Sequence, residues 1–160
     1  MEPVAGGVGY WQRMVLVQQG KRLRVDLDEL CYALDDSSFE RSYYLDLETG
    51  ELLFVSDYMD TEEAEKLKQQ LNENPDRYEC LPKADSYEGY QDMEDFVATV
   101  EDEHLAHSLE VALNGKGSFR RFKDVMSRYP AERERWYRFK ADRLKQRALE
   151  WLEDIGVEPI

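Results

Sequence analysis

Residues 42–55 limit the possible folds more than any other stretch of the chain. Two runs, Ser42-Tyr43-Tyr44-Leu45-Asp46-Leu47 and Glu51-Leu52-Leu53-Phe54-Val55, flank Glu48-Thr49-Gly50. Apolar and aromatic runs joined through a short Gly-containing turn predict an antiparallel hairpin, with Gly50 supplying the positive φ of a bulged connection. Side chains alternate across a strand, so Tyr43, Leu45 and Leu47 share one face, and Tyr44 and Asp46 share the other.

The flanking segments predict a small α+β half. Leu27, Leu30, Cys31 and Leu34 recur at helical spacing behind a capping Asp26, and this helix should stop near Asp36-Ser37-Ser38. Asp60-Thr61-Glu62-Glu63 reads as a capping box that opens a helix running to about Glu73, and Pro75 prevents its continuation. Tyr78 to Leu81 is a third strand, ended by Pro82. The remainder reads as helical. Asp85-Ser86 caps a helix with the stripe Tyr87, Tyr90, Met93, Val97 and Val100. A shorter helix carries Leu105, Leu109 and Leu113 and breaks at Asn114-Gly115-Lys116-Gly117. Ser118 is expected to cap a third, with Phe119, Phe122, Val125, Met126 and Tyr129 on one side. Pro130 starts a long last helix with the stripe Tyr137, Ala141, Leu144, Ala148, Trp151, Leu152 and Ile155, and Gly156 stops it.

The expected class is therefore α+β: a small antiparallel sheet with helices, followed by a C-terminal bundle of about four helices. Residues 1–24 read as an N-terminal extension, flexible or an edge strand, with Arg13 to Gln18 as the strand candidate. Residues 25–160 read as a single domain, with a mixed half at 25–82 and a helical half at 83–160. A chain of 160 residues suits one domain and buries roughly 70% of its unfolded surface without disulfide or metal. Cys31 and Cys80 stand far apart, without CxxC spacing, and read as buried thiols. No basic, apolar leader or membrane span is legible, which makes the cytoplasm the default location.

Charge is the second constraint. The net charge is −14, yet residues 116–147 hold 12 of the 21 basic residues and only four acidic ones, so that segment is +8 and the rest is −22. Lys116, Arg120, Arg121, Lys123, Arg128, Lys140, Arg143 and Arg147 form the candidate surface for an anionic or protein partner. A short helix, a Gly turn and a basic helix also have the outline of a helix-turn-helix. The whole-chain acidity opposes nucleic acid, and pairs such as Asp124 with Arg128 and Glu134 with Arg138 fit an ordinary solvated face.

Motifs for chemistry are sparse. Glu101-Asp102-Glu103-His104 matches the Glu-x-x-His spacing of di-iron bundles, but the chain has only two His, three apart on one helix. A dispersed site near Glu103, His104, His107 and Glu110 is one enzymatic reading; a surface helix is the simpler one, and no metal or cofactor is expected. Asn114-Gly115-Lys116-Gly117-Ser118 places glycines and a Lys before a helix start without matching a P-loop.

Several stretches taken in order resemble a known family. They are Tyr43-Tyr44-Leu45-Asp46-Leu47-Glu48-Thr49-Gly50-Glu51, Asp92-Met93-Glu94-Asp95-Phe96, Gly115-Lys116-Gly117-Ser118-Phe119-Arg120-Arg121-Phe122-Lys123, Trp136-Tyr137 and Ala148-Leu149-Glu150-Trp151-Leu152. Together they resemble uncharacterised protein family 0158, a family of bacterial proteins, from about Val25 to Pro159. The resemblance implies a bacterial source and a single domain, and it brings no activity and no catalytic residues. Residues 1–20 fall outside it and read as a lineage-specific extension or the product of an upstream start codon. The leading functional reading is a non-enzymatic binding or regulatory module whose partner is a protein, another copy of the chain included. A nucleic-acid regulator and a dispersed enzyme site are the rivals, and no membrane role is expected.

Overall fold

The structure, a computed structural model, describes residues 20–160, so the strand expected at Arg13 to Gln18 lies outside the described residues. The order is β1 (Lys21–Leu23), α1 (Leu27–Leu34), β2 (Arg41–Asp46), β3 (Leu52–Ser56), α2 (Thr61–Glu73), β4 (Tyr78–Cys80), α3 (Ser86–Val97), α4 (Glu103–Leu113), α5 (Ser118–Met126), α6 (Pro130–Asp154) and β5 (Val157–Pro159). The class is α+β, as the pattern predicts. The chain forms two compact units: the described residues up to Lys83 together with Lys145–Ile160, and Ala84–Leu144.

In the first unit the expected hairpin forms, with Tyr43 opposite Phe54 and Leu45 opposite Leu52. β4 joins the other side of β2, giving the order β3-β2-β4. Leu45 is fully buried on one sheet face and packs with Leu30 and Ala33 of α1 and with Ala148 and Leu152 of α6. α2 lies along β3, and its Gln70 amide donates to the Tyr78 hydroxyl at 2.6 Å. A parallel pair, β1 with β5, completes this unit and buries Leu23 and Val157. That pair was not legible: three-residue strands show no periodicity, and parallel partners far apart in sequence leave no local turn signal.

Asp46 ties the hairpin to β4. It faces away from Leu45, is nearly buried, and accepts from Arg77 Nε at 3.0 Å and Nη2 at 2.8 Å. The Arg77 guanidinium, helped by the Glu48 amide and the Thr49 hydroxyl, holds the Asp46 carboxyl at about 2, against the opposing effect of burial. A carboxyl depressed in the folded state stabilises above its unfolded pKa, and that contribution disappears as pH falls through the folded value. The shift corresponds to about 2 kcal/mol, fully present above pH ~4 and lost towards pH ~2. Asp46→Asn is expected to lose about that amount at neutral pH, with its urea stability converging on wild type as pH falls. A gap that stays constant from neutral to acid pH would contradict this assignment.

The second unit is built from α3, α4, α5 and the first part of α6. Phe96 is fully buried at its centre, with the rings of Trp136, Phe139 and Phe122 at 5.3, 5.5 and 6.4 Å. Arg135 stacks its guanidinium 4.3 Å above the Phe96 ring, pairs with Glu132 at 2.8 Å and donates to Thr99 Oγ1 at 2.7 Å.

Three expectations are corrected: the α5 cap, the burial of the cysteines and the aromatic stripes. Gly117, not Ser118, is the N-cap of α5; it sits at φ 74°, and no side chain caps this end. Cys80 is exposed, while Cys31 is partly buried against the core and its thiol is pushed up by that burial; both thiols are free. Tyr87, Phe119 and Tyr137 are exposed, whereas Phe96, Trp136 and Phe139 fill the core in their place. For α6 the reason is geometric. Its first part buries Trp136 and Phe139 and its last part buries Ala148 and Leu152, so no single stripe runs its length.

Candidate interaction surface

The eight basic residues singled out from the sequence divide by what the fold does with them. Arg143 is used internally: Nη2 lies 3.0 Å from Asp95, Nη1 lies 3.9 Å from the buried Asp92, and the guanidinium stacks 4.9 Å from the Phe139 ring. Arg121 folds back to donate to the Asn114 carbonyl, closing the end of α4. Lys140 and Arg147 are partly buried, and each has an interaction within the chain. Lys116, Arg120, Lys123 and Arg128 are exposed, with no ion pair among the described residues.

The turn at 114–117 and α5 position these four. Gly115 and Gly117 adopt φ 80° and 74°, which projects Lys116 from the turn before α5 starts. Phe122 and Met126 then anchor α5 to the core. At 100° per residue, Phe119, Lys123, Arg120 and Ser127 fall within a sector of roughly 100°. Arg121 and Arg128 lie on the opposite flank, with Asp124 between the two sets. Phe119 is 49% exposed, and its ring rests against Gly89 of α3, where an added Cβ would meet it at 3.3 Å. Helical spacing with Phe122 and Met126 suggests that Phe119 is core; the signal against this is Lys123 four residues on, which shares its face, where Phe122 instead has Met126.

The other candidates are not brought together into a site. Glu103, His104, His107 and Glu110 are all exposed on α4. Among the described residues no group of three or more His, Cys, Asp or Glu side chains is placed to hold a metal ion. An open depression of about 400 Å3 is lined by Ala131, Arg135, Arg138, Phe139 and Asp142, all from α6. A ligand pocket more often draws polar groups from several elements.

These features define an α+β protein with a half-exposed aromatic flanked by cations on a short helix. The chain belongs to Uncharacterised protein family (UPF0158), whose model matches residues 16–160. It is 33% identical over 137 residues to a UPF0158 protein of Pseudomonas aeruginosa, a match covering 86% of each chain. It is 32% identical over 123 residues to one of Chlamydia pneumoniae, covering 76% of this chain but 38% of that one, and 31% identical to one of Chlamydia trachomatis, covering 37% of it. The chain thus spans well under half the length of the chlamydial relatives. No solved structure matches it. Among the described residues no helix is long and apolar enough to cross a membrane.

Proposed function

We propose that the protein is a non-enzymatic cytoplasmic binding module, and that one face of α5 docks an acidic protein partner. The observation behind this reading is the grouping of Phe119 with Arg120 and Lys123, two cations without an ion pair among the described residues. A partly exposed aromatic beside Arg and Lys is the composition of a protein-binding hot spot with a charged rim. Duplex binding is the weaker reading. Asp124 interrupts the basic surface of α5, Arg121 is already committed to Asn114, and α4 exposes Glu103 and Glu110. The unit itself has a net charge of −3, so a phosphate backbone meets repulsion near the same face.

Site-specific photo-crosslinking tests this in living cells. A crosslinking phenylalanine analogue at position 119 is expected to give a discrete adduct with an acidic protein, and the same analogue at position 107 is not. Arg120→Glu with Lys123→Glu is expected to lower the adduct about tenfold. Equal adducts at both positions, adducts unaffected by charge reversal, or adducts destroyed by nuclease would overturn the reading.

A further inference from the structure

The other compact unit ends on one side in a strand edge, the outer side of β3, without a strand partner among the described residues. The Asp46 amide donates to Glu51 and the Asp57 amide to Glu40, which sets the ladder so that residues 53 and 55 face β2. The N–H and C=O groups of Leu52 and Phe54 therefore point outward.

Exposed sheet edges are usually blunted by Lys, Pro, a bulge, extreme shortness or a covering helix; α2 contacts β3, yet Phe54 at the middle of the strand stays exposed. The opposite edge, β4, is three residues long, contains Glu79 and is stopped by Pro82. β3 is Leu52-Leu53-Phe54-Val55-Ser56, with no charge and no proline. Its central Phe54 is 40% exposed and touches Tyr43 at 5.3 Å. At its far end Tyr58 and Phe39 are 80% and 91% exposed, and the Tyr58 hydroxyl donates to Glu40 at 2.8 Å. Acidic residues stand at both ends, Glu51 before the strand and Asp57 and Glu40 after it, all exposed. The unit as described has a net charge of −11.

We infer that the outer edge of β3 accepts an extended segment of a partner protein by strand addition, a segment with an apolar centre and a basic residue at each end. The outward backbone groups of Leu52 and Phe54 supply the hydrogen bonds. Phe54 supplies the apolar contact. Glu51, Asp57 and Glu40 select for the basic ends. β3 belongs to a different unit from α5, and this inference does not depend on the reading given to α5.

The probe is a synthetic peptide of alternating Val and Thr with Lys at both ends. Two controls accompany it, one with Glu at the ends and one with a central Pro. Titrated into the isotopically labelled full chain, the Lys peptide is expected to slow amide exchange at Leu52 and Phe54 by about tenfold. Phe54→Lys, at an exposed position, is expected to weaken binding by about tenfold, with its melting curve checked against wild type. Unchanged exchange at Phe54 in the wild-type chain overturns the inference. So does equal binding of the Pro-interrupted or Glu-flanked peptide.

Discussion

Phe96→Ala is expected to cost about 4 kcal/mol of the stability of residues 84–144 at neutral pH. Phe96 is fully buried, and three other aromatic rings lie within 6.4 Å of its own. Truncation removes the transfer free energy of the ring and leaves a cavity that rigid neighbours fill poorly. It also removes the surface under the Arg135 guanidinium, which stacks at 4.3 Å. Urea unfolding followed by circular dichroism checks the value, with Phe96→Leu as a milder reference at about 1 kcal/mol. A loss below about 1 kcal/mol for the Ala variant would mean that the aromatic cluster is not the centre of this unit.

Gly50→Ala is expected to cost about 3 kcal/mol in the first unit. Gly50 sits at φ +81°, and an added Cβ would stand 2.4 Å from the Arg24 carbonyl oxygen and 3.0 Å from its carbon. The obstruction is backbone, so no rotamer change relieves it. Residue 24 lies between β1 and the buried Val25, so pushing it aside also disturbs the core. Gly117→Ala is the matched comparison. It shares the positive φ, at +74°, but meets nothing within 4 Å, so only the left-handed penalty of about 1 kcal/mol is expected. Equal losses at the two positions in thermal unfolding would show that the close approach to Arg24 contributes nothing.

The contrast between these glycines shows what a sequence reveals. Gly50 was legible as a turn residue because two strand-like runs flank it. Its second role, the near contact with Arg24, depends on β1 pairing with β5 and leaves no local trace. The same division holds elsewhere. Asp26, Asp60 and Asp85 were readable as caps, since capping uses residues two or three apart, and each accepts from an amide at that distance. Phe96 is not marked by spacing in its helix, because the three- and four-residue series runs through Tyr90, Met93 and Val97 and extends backwards to the exposed Tyr87. In the basic segment, charge counting located the region but ranked all eight residues alike. Only the fold separates Arg121, turned back on Asn114, and Arg143, paired with Asp95, from Arg120 and Lys123.

That separation can be measured residue by residue. The labelled chain is titrated in parallel with a Glu-rich peptide containing a central pair of Leu residues and with a short DNA duplex, at physiological salt. The account expects the peptide to shift the amide and side-chain signals of Phe119, Arg120, Lys123 and Ser127, and expects charge reversal at Arg120 and Lys123 to abolish those shifts. Shifts from the duplex alone, or peptide shifts centred on Arg121 and Arg128, would contradict it.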